Sequence, residues 1–301
     1  MIVLIKKILP ILILLLSIGK LKAQNDTLKV ITYNIWNGFE WGKAIDRKAN
    51  LINWVQSKDP DVLALQELNG YTQEKLEKDA LKWGHSYAIL LKENGYSVGL
   101  TSKSPINLID KVREGMWHGL LHCKTYGIDF FVVHLSPSDQ KFRKKEAIII
   151  KDKIASSNTK NYIVLGDFNA HSPFDGDYLR NNIKLLNKYL KGDNKPENKF
   201  KNTLNKNYDY SVISTFISIP TVDVAQIFID SEKRYSYPTP ALIGEYLNKE
   251  QVNNFKERID YIFVSPNLAK NCINTTIHNN KPTHYLSDHF PMEATFLIQK
   301  K

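Results

Sequence analysis

The sequence predicts a mixed α/β (α+β) protein built as one domain. Three observations carry this reading. Apolar runs of strand length intermingle with helical periodicities along the whole chain, several neighbouring strands are separated by short turn signals, and no internal repeat is present. A strictly alternating parallel sheet would lack the hairpins, and an all-β sandwich would lack the helices. With 301 residues the chain can bury a substantial core, and 43% hydrophobic content excludes general disorder.

Residues 1–23 stand apart from the rest. Lys6 and Lys7 precede an apolar run over 8–18, followed by Leu21-Lys22-Ala23. That run is shorter than the roughly 20 apolar residues a spanning helix needs. A charged start, a short apolar centre and a small residue at the cut site read as a secretory signal peptide cleaved after Ala23. Leu21 is not the small residue expected two positions earlier, and an uncleaved anchor is the other reading. No Cys adjoins the junction, which argues against lipoprotein processing. The expectation is a domain of residues 24–301 exported to a periplasmic, cell-surface or secreted location. Cleavage would remove four lysines from a formal charge of +10 and still leave a basic chain. A basic balance favours anionic partners such as nucleic acid or a phospholipid surface. Much of the excess is Lys interleaved with Asn, however, which also describes a solvated surface. The two cysteines, Cys123 and Cys272, allow one disulfide but no disulfide framework, and no zinc-type Cys/His cluster occurs.

Within the domain, residues 28–35 alternate as a first strand with Asn34 near its end, and Trp36-Asn37-Gly38 reads as a turn. Ile45, Ala49, Ile52 and Val55 recur at helical spacing until Asp59-Pro60 stops them. Residues 61–66 form a core strand that delivers Glu67, and Thr72 caps a helix reaching about Trp83. Residues 87–91 and 96–101 make a hairpin around Glu93-Asn94-Gly95, and 119–124 and 128–135 make another around Thr125-Tyr126-Gly127. The second hairpin ends with His134. Residues 138–156 are helical, and 181–207, dominated by Lys and Asn, read as a helix-plus-loop excursion on the surface, not a linker between domains. A strand over 258–264 carries Asp260 within it, and the last strand, 291–298, follows Ser287-Asp288-His289.

The most informative stretch is Tyr162-Ile-Val-Leu-Gly166-Asp167-Phe-Asn169, with His171 just beyond. Gly166 lets the backbone turn after a buried strand, and in an extended geometry Asp167 and Asn169 would point to one side. An ionised carboxylate beside an amide is costly to bury alone, and suits a cleft that holds a cation or a phosphate. An Asx turn closing the strand is the plain alternative. Asn34, Glu67, His134, Asp288 and His289 occupy the same kind of place, the boundary of an apolar strand. Each alone has a structural explanation; together they define one candidate site.

The set Thr-Tyr-Asn34-Ile, Leu-Gln-Glu67, Val-His134-Leu, Gly-Asp167-Phe-Asn169, Arg-Ile-Asp260-Tyr and Ser-Asp288-His289-Phe-Pro resembles the motifs of the endonuclease/exonuclease/phosphatase superfamily. That group includes deoxyribonuclease I, exonuclease III-type repair nucleases, inositol polyphosphate 5-phosphatases and neutral sphingomyelinases. Six motifs occur in the family's order, from Asn34 to Pro291. The resemblance implies a four-layer sandwich, two packed mixed sheets flanked by helices, with one cleft at the sheet edges. It implies Glu67 as the main metal carboxylate, Asn34 beside it at the metal shell or phosphate, and Asp288 completing the metal side. Asp167 and Asn169 would orient the attacking water and bind a phosphoryl oxygen. His289 would pair with Asp260, and His134 would stabilise phosphoryl charge or assist the leaving group. The implied cofactor is Mg²⁺, with Mn²⁺ as an alternative. Phosphate-ester hydrolysis asks for the same parts: a hard cation with few protein carboxylates, a nucleophile, and donors for the departing oxygen. The general base stays open between Asp167 and the Asp260–His289 pair.

The expected function is therefore an exported metal-dependent phosphoesterase acting as a monomer, foremost a phosphodiesterase or nuclease. A sphingomyelinase-like lipid phosphodiesterase, a small-molecule phosphatase and a non-catalytic binding protein on the same fold are the alternatives. Trp36, Phe39, Trp41 and Trp117 are expected near the cleft rim, where they would meet nucleic acid or a membrane surface. Glu93 is a candidate to orient His134. Of the other histidines, His171 is placed at the cleft, and His118, His122 and His284 are read as structural. Gly95-Tyr-Ser97-Val-Gly99 matches a serine-hydrolase elbow in letters, but no helix follows it, so Ser97 is not read as a nucleophile.

Overall fold

The computed structural model describes residues 25–299; the segment read as a signal peptide, residues 1–23, lies outside them. Strands in chain order are β1 (Asn25–Asn34), β2 (Val62–Gln66), β3 (Tyr87–Leu90), β4 (Gly99–Ser102), β5 (Asn107–Val112), β6 (Leu120–Thr125), β7 (Ile128–His134), β8 (Tyr162–Asp167), β9 (Thr203–Leu204), β10 (Asn207–Tyr208), β11 (Val222–Asp223), β12 (Asp260–Val264), β13 (Cys272–Ile277) and β14 (Met292–Gln299). They build two six-stranded sheets, ordered β13-β14-β1-β2-β4-β3 and β11-β12-β8-β7-β6-β5, and β9 and β10 form a separate pair. Each large sheet is antiparallel except at one central pair, β1 with β2 and β7 with β8. Those two parallel pairs run to the same cleft.

The strands read as nearly continuous apolar runs because both faces are buried. Along β1, Leu28 and Val30 join the core between the sheets, while Ile31 and Tyr33 point the other way. The same period of two places Ile163 and Leu165 inward and Tyr162 and Val164 outward on β8. Outer layers cover those second faces. Helices Ile45–Lys58 and Gln73–Lys82 pack Leu51, Trp54, Val55, Leu76 and Ala80 on the first sheet. Helices Gln140–Ser156 and Ser211–Ile217 pack Ala147, Ile150, Val212 and Phe216 on the second. The result is the helix–sheet–sheet–helix sandwich expected. Each aliphatic side chain buried in it contributes about 1.5–3 kcal/mol.

Several local expectations need correction. Residues 36–42 are not a simple turn: φ lies between +50° and +59° from Trp36 to Trp41, a left-handed helical segment. Such backbone costs about 1–2 kcal/mol per non-glycine residue, so neighbours must hold it. Arg47 does so, donating to the carbonyls of Ile35 at 2.9 Å and Trp36 at 3.0 Å, with its guanidinium over the Trp36 and Phe39 rings. Asp260 opens β12 instead of lying within it. β5 was not anticipated, because as an exposed edge strand with a bulge it carries little apolar pattern. The helix expected in the excursion over 181–207 is present, but the excursion does not simply lie on the surface. Its helix Ile183–Asp193 docks through a small cluster of Leu185, Leu179 and Tyr208, with Tyr189 and Phe255 against it. Cys123 and Cys272 are buried free thiols, so the disulfide is absent.

Candidate active site

The site begins with register. His134 on β7 pairs with Asp167 on β8, and Asp167 pairs with Asp260 on β12, so three polar side chains end three adjacent strands. In the other sheet Asn34 pairs with Gln66, one residue before Glu67. The chain does not turn at Gly166 as expected: Gly166 lies within β8, paired with Val133 and Tyr261, at φ +139°, and a Cβ there would meet the Val133 carbonyl oxygen at 2.0 Å. Asn169 does not continue an extended strand. Its φ is +47°, its N–H donates to Asp167 Oδ1 at 2.9 Å, and its side-chain amide donates to the Leu135 carbonyl at 3.1 Å. The Asx turn and the site residue are the same feature.

Asn34 links the two sheets. Its Nδ2 donates to Glu67 Oε1 at 3.2 Å and to Asp167 Oδ2 at 3.1 Å, and its Oδ1 accepts the Trp36 N–H at 3.1 Å. The left-handed segment explains itself at this point: Asn37 N–H donates to Glu67 Oε2 at 2.6 Å. Asp288 and His289 come from the loop before β14, anchored where Ser287 Oγ donates to the Asn34 carbonyl at 2.6 Å. His289 Nδ1 lies 2.9 Å from Asp260 Oδ2, and its Nε2 lies 3.8 Å from Asp167 Oδ2. All eight predicted residues, Asn34, Glu67, His134, Asp167, Asn169, Asp260, Asp288 and His289, thus converge on one cleft.

Burial sets the electrostatics. Desolvation pushes the Asp167 carboxyl up to about 8, although His289 opposes this. Glu67 is raised by burial and by the neighbouring charge of Asp288, and Asp288 is raised by burial against the pull of His289. Burial alone would lower His289, but Asp260, Asp288 and Asp167 together hold it well above the usual imidazole value. His134 is the opposite case, held far down by burial and by His118. The two imidazoles stack with centroids 4.2 Å apart and planes at 24°.

Two groups of donors are therefore distinct. Ligand atoms of Asp167, Asp260 and His289 lie within 4.8 Å of one another, but His289 already faces both carboxyl groups, at 2.9 Å from Asp260 and 3.8 Å from Asp167. Glu67 and Asp288 offer carboxylate oxygens, both half-buried and both destabilised as anions, and the addition of a hard divalent cation would relieve that cost. The residues fit an ion of the Mg²⁺ type held by Glu67 and Asp288, with Asn34 beside them.

The cleft has a volume of about 640 Å³ and is walled by Trp36, Tyr96, Trp117, Tyr189, Tyr237 and Tyr246. Trp36 and Trp117 line it as expected. Phe39 is instead buried under the first sheet, and exposed Trp41 is not among the lining residues. Glu93 does not orient His134; its carboxylate takes the Gln73 N–H at 3.0 Å. His171 lies behind the wall, 2.8 Å from Glu257, whereas His118 lines the cleft. Ser97 is buried, accepts the Lys92 N–H and precedes a strand. Sequence reasoning also missed Glu146, whose two oxygens accept the N–H groups of Trp117 and Ser136 at 2.8 Å each. No motif marks it; a lone acid amid the apolar face of its helix was the available signal.

The Endonuclease/Exonuclease/phosphatase family matches the chain over residues 31–289. A search of curated proteins finds no match. Among solved structures, the chain is similar to an AP endonuclease from Archaeoglobus fulgidus, with TM-score 0.67 and 18% identity over 90% of this chain and 100% of that one. It is also similar to a humanized TDP2 from D. rerio, with TM-score 0.61 and 19% identity over 90% and 99%. A third is the 3′ phosphatase NExo from Neisseria bound to product DNA hairpin, with TM-score 0.61 and 17% identity over 89% and 99%.

Proposed function

The chain belongs to the endonuclease/exonuclease/phosphatase family, and from that premise we propose that it is a metal-dependent phosphodiesterase of the nuclease type. The observation that carries this reading is the meeting of the Asp167, Asp260 and His289 cluster with the Glu67 and Asp288 pair across Asn34. Two of the similar structures are named an endonuclease and a 3′ phosphatase bound to product DNA, which favours a nucleic-acid phosphate ester here.

A bound Mg²⁺, or Mn²⁺ in its place, would neutralise charge on the phosphoryl oxygens. The chain's own residues do the rest. Asp260 fixes His289 through Nδ1, which leaves the Nε2–H to donate to a phosphoryl oxygen. Asp167, whose carboxyl burial raises to about 8 while His289 opposes the rise, is placed to take a proton from attacking water once its carboxylate is ionised. Asn169, pinned by Leu135, holds a phosphate oxygen or that water. His134 stays neutral and offers a hydrogen bond without a charge. The signal-type N-terminus supports export, which N-terminal sequencing of the protein from culture fractions tests.

Hydrolysis of bis-p-nitrophenyl phosphate with Mg²⁺ or Mn²⁺, abolished by EDTA, is the expected result. A panel of DNA, RNA, sphingomyelin and inositol phosphates then ranks the substrates. No turnover of any diester under these conditions would sink the proposal.

A further inference from the structure

The excursion that the sequence offered as solvated surface reaches into the cleft. Helix Ile183–Asp193 brings Lys188 and Tyr189 to its wall. Lys188 is the sole lysine or arginine among the described residues that line the cleft. Its ammonium is fixed from several directions. Nζ lies 3.2 Å from Glu257 Oε1, and the rings of Tyr189, Tyr237 and Phe255 stand at 5.1, 5.4 and 5.3 Å. Glu257 is itself 1% exposed, and its other oxygen accepts the Tyr189 hydroxyl at 2.6 Å and faces His171 Nε2 at 2.8 Å.

Position relative to the reacting centre follows from Tyr237, whose ring is 5.0 Å from that of His289 and 5.4 Å from Lys188 Nζ. The ammonium therefore stands one aromatic ring away from the imidazole. The lining residues with acidic side chains are Glu67, Asp167, Glu257 and Asp288. Among the described residues lining the cleft, Lys188 is the cationic donor outside the histidines that a second substrate anion would meet. Because Glu257 and the rings already restrict the side chain, little rotamer entropy remains to be lost on binding. Glu257 accounts for one of the three ammonium protons; the others are available to the cleft.

We propose that Lys188 is a specificity-determining residue that binds a second anionic oxygen of the substrate, the phosphate next to the scissile one on a nucleic-acid strand. This rests on the phosphodiesterase reading given above. It selects oligoanionic diesters over zwitterionic choline-type esters, which present no second anion to the ammonium.

The test compares full-length wild type, Lys188→Gln and Lys188→Arg on a short single-stranded oligonucleotide and on bis-p-nitrophenyl phosphate. Lys188→Gln should lower the oligonucleotide-to-diester ratio of kcat/KM about tenfold, mainly through KM, as expected for one charge-assisted hydrogen bond. The slope of log kcat/KM against log salt should become shallower by about 0.7, and Lys188→Arg should restore most of the ratio. If Gln at 188 leaves buried Glu257 too costly to fold, the pair Lys188→Gln with Glu257→Gln removes both charges and serves the same comparison. An unchanged ratio in a folded variant overturns the inference. Wild type that cleaves no diester overturns the underlying function instead, so the two failures are separable.

Discussion

His134 Nε2 stands 3.5 Å from Asp167 Oδ2, and the two residues are register partners on parallel strands β7 and β8. Neither can shift without breaking a ladder buried on both faces. Asp260 extends the row from β12, while His289 reaches Asp260 from the opposite sheet. The constellation therefore straddles the sandwich, and its geometry depends on how the sheets pack. That arrangement supplies preorganisation, which is what charge stabilisation in a dry site requires.

The Asp260–His289 pair should behave as one unit. Asp260→Asn removes the strongest influence that keeps His289 protonated, and His289→Ala removes the donor itself. Each should lower kcat/KM on bis-p-nitrophenyl phosphate by about 10²–10⁴-fold. The double variant should be little worse than either single one, because coupled residues do not add. Additive losses in a double-mutant cycle would show that the two act separately.

Glu67→Gln separates metal binding from folding. Burial and Asp288 destabilise the Glu67 anion in the metal-free protein, whereas an amide of equal size removes that charge but cannot accept from both Asn34 Nδ2 and Asn37 N–H, so the metal-free Tm should change little. Mg²⁺ or Mn²⁺ should raise the Tm of wild type and leave that of the variant nearly unmoved, since a ligand stabilises only the state that binds it. Activity should fall at least about a hundredfold, the scale of losing metal charge stabilisation. A full metal-induced shift in Glu67→Gln, measured by calorimetry, would assign the ion elsewhere.

Much of this site was legible beforehand because its residues end apolar strands. A charged or amide side chain closing a buried run is visible in one dimension, and Asn34, Glu67, His134 and Asp167 all have that form. Lys188 and Glu257 were not legible, since neither ends a core strand and their contact spans 69 positions. Lysine in a Lys/Asn-rich stretch looks like solvated surface until its docking cluster is seen. The left-handed run at Trp36–Trp41 was hidden for another reason. Asn37 and Gly38 tolerate positive φ, but Trp36, Phe39, Glu40 and Trp41 do not favour it, and the run is held by Arg47 and Glu67.

Glu146 should leave a pH signature. Burial raises its carboxyl from 4.5 to about 7, against two backbone hydrogen bonds and Arg143 that favour the anion. A raised folded-state pKa means the folded chain holds the proton more tightly than the unfolded chain. The stabilisation is complete below about 4.5 and is lost as pH rises through about 7. Glu146→Gln cannot ionise, so its Tm minus that of wild type should become more positive between pH 5 and 8. It should also reduce activity at every pH, because the amide accepts from Trp117 or Ser136 but not both. A Tm difference independent of pH would remove Glu146 as the titrating group.

Gly166→Ala tests whether the strand end that delivers Asp167 tolerates a side chain. At φ +139° the residue lies in backbone that L side chains rarely adopt. The added Cβ would also meet the Val133 carbonyl oxygen at 2.0 Å and its carbon at 2.9 Å, both of them backbone atoms of the neighbouring parallel strand. A flexible side chain could swing away; a strand in the middle of the sheet cannot. Relief would have to come from separating β7 and β8, which is the same movement that pulls His134 from Asp167. The expected cost is about 3 kcal/mol or more, from strain and overpacking together. Urea denaturation should therefore show a lower midpoint with an unchanged m-value. Any folded fraction should be inactive out of proportion to its loss of stability, because the row of site residues is what gives way. A variant with wild-type midpoint and activity would mean that β7 and β8 do not approach so closely at Gly166 and that Asp167 does not stand where the cleft requires it.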